Sequence, residues 1–69
     1  MSHLKFSENL KAAMQVNGLT QKALAEKLNT TQQTVSRWLC GINEPDFETL
    51  FAICAILHES PNDLLGYDN

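Results

Sequence analysis

Residues 21–40 read QKALAEKLNTTQQTVSRWLC and decide the fold of this 69-residue chain. Asn29, in the middle, is a residue type that tolerates the left-handed conformation of a tight turn. Four apolar side chains at helical spacing flank it: Ala25, Leu28, Val35 and Trp38. Because apolar residues recur about every 3.6 positions on both sides, the stretch predicts two short helices that meet at a turn and direct these side chains inward.

Capping residues and chain-reversing residues divide the rest of the chain into three further helices. The predicted helix starts are Ser7, Thr20, Thr30 or Thr31, Asp46 and Ser60, which precedes Pro61. The predicted stops are Gly18, Asn29, Gly41, His58 and Gly66. No stretch alternates apolar and polar residues as a strand would. The sequence therefore predicts an all-α fold of five short helices in a single domain that spans residues 1–69.

The apolar faces of the first and fourth helices differ in width. The first has one narrow stripe: Phe6, Leu10, Ala13 and Met14. The fourth has a wide stripe with Ile53 at its edge: Phe47, Leu50, Phe51, Cys54 and Leu57. A helix that is apolar nearly all round is normally buried, and a chain this short cannot easily cover it. We therefore expect a partner surface formed by Ile56, Leu64, Leu65 and Tyr67, although scattered surface apolar residues are a common alternative.

The outward face of the third helix is polar. On a helical wheel, the side opposite Val35 and Trp38 carries Gln33, Ser36, Arg37 and Cys40, with Gln32 at the N-terminal tip. A glutamine amide matches the N6 and N7 edge of adenine, and an arginine fork matches the O6 and N7 edge of guanine. The face is therefore suited to reading bases, with an ordinary solvated surface as the alternative.

Charge is distributed unevenly along the chain. The net charge is −3, which is unusual for a nucleic-acid binder. Residues 1–38 hold all five basic residues and two acidic ones, for a net charge of +3. Residues 39–69 hold six acidic residues and no basic residue. The polar helix face thus lies in the basic part of the chain, which weakens the objection that the total charge raises.

Several classes of function are not expected. Cys40 and Cys54 are too few for a disulfide framework, and no Cys/His cluster predicts a metal site. No nucleophile and base arrangement or glycine-rich phosphate loop suggests catalysis or a cofactor. The N-terminal MSHLKFSENL has no apolar core of a signal peptide, and the longest apolar run is shorter than the ~18 residues of a membrane span.

Taken together, these elements resemble the phage repressor and Cro type of helix-turn-helix domain. The matching segments are LTQKALAEKL (19–28), TTQQTVSRW (30–38), the loop 41–45, ETL (48–50) and SPNDLLG (60–66). The resemblance implies a compact lambda-repressor-like fold with the helix-turn-helix at the second and third helices. It also implies a cytoplasmic, non-enzymatic regulator that binds double-stranded DNA, acts as a repressor and has no evident small-molecule effector.

The resemblance also implies roles for particular residues. The base-reading candidates are Gln32, Gln33, Ser36 and Arg37, and the phosphate-contacting candidates are Thr20, Gln21, Lys22, Thr31 and Asn43. Two copies would place their third helices about 34 Å apart on a near-palindromic operator. The loop after the third helix carries Glu44 and no basic residue, so we expect modest non-specific affinity and a shallow dependence on salt.

Two alternatives stay open. One is an antitoxin-type regulator, whose apolar fourth helix would hold a toxin. The other is a protein-interaction module that keeps the fold and has lost DNA binding, which the acidic second half and the loop without a basic residue favour. The clustering of every basic residue in residues 1–38 favours DNA binding instead.

Overall fold

The computed structural model of the chain describes residues 5–66. Over this range the fold is all-α, as predicted. Its helices are α1 (Phe6–Val16), α2 (Gln21–Leu28), α3 (Gln32–Leu39), α4 (Phe47–Leu57) and α5 (Pro61–Leu65). Tyr67, predicted as part of a partner surface, lies outside the described residues. No helix in the described range has the length and apolarity needed to cross a membrane.

Four of the helices begin at a side-chain cap, as predicted. Thr20, Thr31, Asp46 and Ser60 each accept a hydrogen bond from the backbone N–H three residues later, at 3.1, 3.2, 2.8 and 3.0 Å. Such a bond satisfies one of the N–H groups left without a partner in the first turn of a helix. The choice between Thr30 and Thr31, which the sequence left open, is thus settled in favour of Thr31.

The predicted cap of α1 is wrong. The helix begins one residue earlier than Ser7, at Phe6, and the preceding Lys5 makes no side-chain cap bond. Phe6 is only 4% exposed, and the Lys5 N–H donates to the carbonyl of Leu65 at 3.1 Å. A tertiary contact with the end of α5 therefore fixes where α1 starts, in place of a local cap.

The start of α1 and the end of α5 pack closely together. The Nδ2 of Asn9 donates to the carbonyl oxygens of Asp63 and Leu64 at 3.1 and 3.2 Å. Gly66, at φ +68°, follows α5, and a Cβ at this position would lie 2.7 Å from the Nδ2 of Asn9. Both the backbone conformation and the close approach of Asn9 therefore call for glycine at the end of α5.

The core contains one side of every helix. Its buried residues are Phe6, Leu10, Ala13, Met14, Leu24, Ala25, Val35, Trp38, Leu50, Ile53, Cys54, Leu57 and Leu64. The predicted inward faces of α1, α2 and α3 are confirmed, although Leu28 is only partly buried. Around this core, α2 and α3 lie side by side, and their outer faces are exposed to solvent.

The predicted face of α4 is rotated relative to the observed one. Ile53, placed at the edge of the stripe, is 0% exposed, whereas Phe47 and Phe51 are 75% and 58% exposed. The buried side of α4 faces α2 and α5, and that packing selects Ile53 together with Leu50 and Leu57. The periodicity marked the helix correctly but could not choose between two adjoining apolar sides.

The predicted partner surface needs a matching correction. Leu64 is 1% exposed and belongs to the core, so it offers no surface to a partner. Ile56 and Leu65 are partly buried and pack against the same core. The end of α4 agrees with the prediction: the helix ends at Leu57, and His58, the predicted stop, follows it in the left-handed conformation at φ +59°.

Candidate nucleic-acid interface

The turn between α2 and α3 is built from backbone hydrogen bonds around one left-handed residue. Asn29 has φ 57° and ψ 43°, and the Thr30 N–H donates to the carbonyl of Ala25 at 2.9 Å. Because this bond satisfies a carbonyl at the end of α2, the chain reverses within a few residues. Among the helix pairs, α2 and α3 pack most extensively.

The inner side of α3 is fixed in the core. Val35 is 0% exposed, Trp38 is 5% exposed and Leu39 is partly buried against the core. Since these side chains hold the helix in one rotational position, the side chains on its opposite face point to solvent in a fixed order. The sequence prediction of the inner and outer sides of α3 is confirmed in this respect.

Three of the four candidate base-reading side chains are exposed. Gln32, Gln33 and Arg37 lie on the outer face of α3, and Ser36 beside them is half-buried. No side-chain hydrogen bond recorded within residues 5–66 involves the amides of Gln32 and Gln33 or the guanidinium of Arg37. Their donors and acceptors are therefore available to an external ligand, and Ser36 is the least accessible of the set.

The N-termini of α2 and α3 place polar groups beside this face. Thr20 and Thr31 are exposed but act as helix caps, so their expected phosphate contacts would add to a structural role that is already present. The hydroxyl of Thr31 also shares a 2.9 Å hydrogen bond with that of Thr34. Lys22 is exposed and Gln21 half-buried in the first turn of α2, where free N–H groups favour an anion.

The loop after α3 supplies no basic side chain. The Ile42 N–H donates to the carbonyl of Arg37 at 3.0 Å, and the Ile42 side chain is 68% exposed. Asn43 and Glu44 are exposed next to it. At the start of α4, a hydrogen bond from the backbone N–H of Thr49 holds the pKa of Asp46 below its usual value. This end of the surface therefore carries negative charge and a single neutral phosphate-binding candidate, Asn43.

Sequence reasoning missed two exposed aromatic residues. Phe47 and Phe51 were assigned to the core stripe, yet both project from α4 into solvent. The available signal was the position of Ile53, which falls on the same side of the helical wheel as Leu50 and Leu57. Centring the stripe on these three aliphatic residues leaves both phenylalanines outside it.

Comparison with known proteins identifies relatives for most of the chain. A family model described as helix-turn-helix matches residues 10–64. An uncharacterized HTH-type transcriptional regulator of Bacillus subtilis (strain 168), YqaE, is 42% identical over 60 residues, which are 87% of this chain and 52% of the relative. The chain thus spans about half the length of the curated relatives it matches.

Solved structures share the fold. A transcriptional regulator from Listeria innocua matches with a TM-score of 0.90 and 32% identity over 99% of this chain and 64% of its own. The P22 c2 repressor in complex with a synthetic operator matches with a TM-score of 0.83 and 28% identity, over 90% and 96% of the two chains. Hydroxypropylphosphonic acid epoxidase of S. wedmorenis contains the same fold, with a TM-score of 0.83 and 29% identity, over 93% of this chain and 34% of the enzyme.

Proposed function

The chain belongs to the Cro/C1-type helix-turn-helix family, and on that premise we propose that it binds specific sequences of double-stranded DNA and regulates transcription. One observation carries the proposal. The inner side of α3 is held in the core by Val35 and Trp38, while Gln33 and Arg37 project from the other side without a partner among the described residues. A helix held in this way can enter the major groove with its reading side chains already oriented.

The chemistry of the outer face suits the edges of base pairs. The amides of Gln32 and Gln33 can each donate to and accept from an adenine, and Arg37 can donate twice to a guanine. Each well-formed bidentate contact is worth about 1–3 kcal/mol of discrimination against a wrong base. Ser36, which is half-buried, is the weakest of the four candidates and would contribute at most a single hydrogen bond.

Phosphate contacts would position α3 in the groove. Thr20, Gln21 and Lys22 surround the N-terminus of α2, and Thr31 lies at the N-terminus of α3. Backbone N–H groups at such positions favour a phosphate. Asn43 would hold a further phosphate on the other side of α3. The net charge of +3 carried by residues 1–38 supports these phosphate contacts, although this charge is small for a DNA-binding surface.

The proposed regulator acts as a repressor in the bacterial cytoplasm and binds a near-palindromic operator as a homodimer. The P22 c2 repressor, which shares the fold, is bound to a synthetic operator in its crystal structure. A two-fold dimer would place two α3 helices about 34 Å apart, one helical turn of DNA. Two half-sites would also compensate for the few basic residues that each copy offers to phosphates.

A second candidate is a regulator of the antitoxin type, or an interaction module, that binds another protein through α4. The exposed Phe47 and Phe51 and the acidic second half of the chain favour it. The presence of the fold within an epoxidase illustrates that the fold alone does not determine function. Catalysis is not part of either candidate, because neither relies on a reactive residue.

A gel-shift selection from a pool of random-sequence duplexes at low salt tests the proposal. We expect repeated rounds of selection to enrich a near-palindromic site. Circular dichroism verifies that the protein used in the selection is folded. If folded protein enriches no sequence, the DNA-binding proposal fails and the interaction module is favoured.

A further inference from the structure

The solvent-facing side of α4 is unusually apolar for a surface helix. Phe47 and Phe51 are 75% and 58% exposed, and Ala55 is exposed as well. These residues are spaced by four, so they line up on one side of the helix; we call them the α4 stripe. The single charged residue of α4 is Glu48, which flanks the stripe.

We propose that the α4 stripe is where a second copy of the chain docks, with the two α4 helices antiparallel across a two-fold axis close to Phe51. The inference rests on the proposed function, since it names the contact that joins two DNA-reading copies. It replaces the surface expected from the sequence, because Leu64 is buried and Ile56 and Leu65 are partly covered by the core.

The stripe is complementary to itself when one copy is reversed. From the N-terminal to the C-terminal end of α4, the stripe has two large side chains followed by a small one: Phe47, Phe51 and Ala55. In an antiparallel pair each Phe47 ring therefore meets the small Ala55 of the partner subunit, and the two Phe51 rings meet near the axis. A two-fold interface requires this reciprocity, because the same patch serves both copies.

Charge favours the antiparallel direction. Every copy has a net charge of −3, and the acidic residues Asp46 and Glu48 lie at the start of α4. With the axis at Phe51 and a rise of 1.5 Å per residue, the two Glu48 positions are about 9 Å apart along the helices, and the two Asp46 positions about 15 Å. A parallel pair would place these like charges side by side, so electrostatic repulsion selects the reversed pairing.

The available area predicts a weak contact. A phenylalanine can bury about 200 Å², so the exposed parts of Phe47 and Phe51 offer roughly 250 Å² per copy. A stable interface takes about 800 Å² from each partner. The stripe and its rim therefore support a dimer that dissociates readily in solution. On an operator that holds two copies side by side, the high effective concentration of one copy near the other would favour formation of the contact.

Sedimentation equilibrium at protein concentrations up to about 1 mM, where even a weak dimer would be populated, tests the inference. We expect wild-type protein to self-associate and the variant Phe47→Ala/Phe51→Ala to weaken association at least tenfold. Val16→Ala is the matched control, because Val16 is 85% exposed but lies on α1. Wild-type protein that stays monomeric, or a double variant that associates as the control does, overturns the inference.

Charge substitutions at Ala55 test the antiparallel register. In the proposed pair, Ala55 lies close to Glu48 of the partner subunit. Ala55→Lys should strengthen self-association at low salt by about threefold, and Ala55→Glu should weaken it by a similar factor. In a parallel pair each position 55 would face its own copy, so both substitutions would weaken association alike, and that result would overturn the register.

The DNA result separates this inference from the proposed function. The Phe47→Ala/Phe51→Ala variant should bind a single half-site as wild type does and lose affinity on the full palindrome. If wild-type protein selects a DNA site but its affinity for the palindrome is unchanged in the double variant, only the inferred contact fails. If the protein associates through the stripe but selects no DNA, only the DNA-binding proposal fails.

Discussion

Thr31 illustrates how one residue can have a structural and a binding role at the same position. Its hydroxyl accepts from the Thr34 N–H at 3.2 Å and caps α3, the helix that carries the proposed base-reading side chains. The same hydroxyl lies at an exposed helix N-terminus, where a phosphate is favoured. The cap is visible in the structure, whereas the phosphate contact remains a prediction.

Replacing Thr31 with alanine should lower the free energy of unfolding by about 1 kcal/mol, because the first turn of α3 loses its cap. Urea denaturation followed by circular dichroism measures the change. Thr30→Ala is the control, since the neighbouring threonine makes no cap bond. Equal losses in the two variants would show that the cap has no special effect.

The two cysteines should react very differently with a thiol reagent. Cys40 is exposed at the end of α3, whereas Cys54 is buried in the core. Burial, with a smaller contribution from Glu59, raises the pKa of the Cys54 thiol, so less of the reactive thiolate forms at neutral pH. We expect rapid modification of Cys40 and protection of Cys54 until the protein unfolds. Mass spectrometry that finds both thiols modified at one rate under native conditions would contradict this.

Helices were predictable from sequence where a local signal fixes them. Thr20 and Ser60 are caps whose bonds lie within four residues, and Asn29 forms its turn through its own backbone. The start of α1 was not predictable in this way, because it depends on the hydrogen bond between Lys5 and Leu65, which are far apart in the sequence. Local chemistry thus fixed most boundaries, and a tertiary contact fixed the exception.

The rotation of α4 shows the limit of periodicity. Phe47, Phe51 and Ile53 are all apolar, so a helical wheel offers two adjoining sides that could face the core. Only the packing of α4 on α2 and α5 selects the side with Ile53. On α3 the inner and outer sides differ sharply in polarity, and there the exposed positions of Gln33 and Arg37 were predicted correctly.

The α4 assignment predicts effects of very different size for two alanine substitutions. Ile53→Ala removes a fully buried side chain and should cost about 2–5 kcal/mol, whereas Phe47→Ala should change stability by no more than about 0.5 kcal/mol. Thermal unfolding of the two variants at low protein concentration, where the proposed weak dimer would be dissociated, measures the difference. Comparable losses would mean that Phe47 is a core residue after all.

Considered as a whole, the molecule separates its charges. The five basic residues all lie in residues 1–38, which contain α2 and α3, and six acidic residues follow in residues 39–69. The fold therefore combines a proposed reading face, which has few cations to contact phosphates, with an acidic, apolar second half. The proposed dimer would bind DNA more tightly than a single copy, because contacts to two half-sites add to the weak phosphate binding of each copy.

The few cations should give a shallow dependence of DNA affinity on salt. If two copies neutralise about six phosphates, the slope of log K against log salt concentration should be near −5. Titrations at several salt concentrations measure the slope. A value as steep as about −8 would imply roughly nine neutralised phosphates, more than this surface is expected to provide.

The most direct test of base reading by α3 is a titration of the variant Gln33→Ala on two duplexes, the selected site and a random sequence. We predict about 5–150-fold weaker binding to the selected site, the equivalent of 1–3 kcal/mol, and unchanged binding to the random duplex. Gln15→Ala, at an exposed position of α1, should bind both duplexes as wild type does. An equal loss for Gln33→Ala on both duplexes would contradict the proposal that α3 reads the sequence.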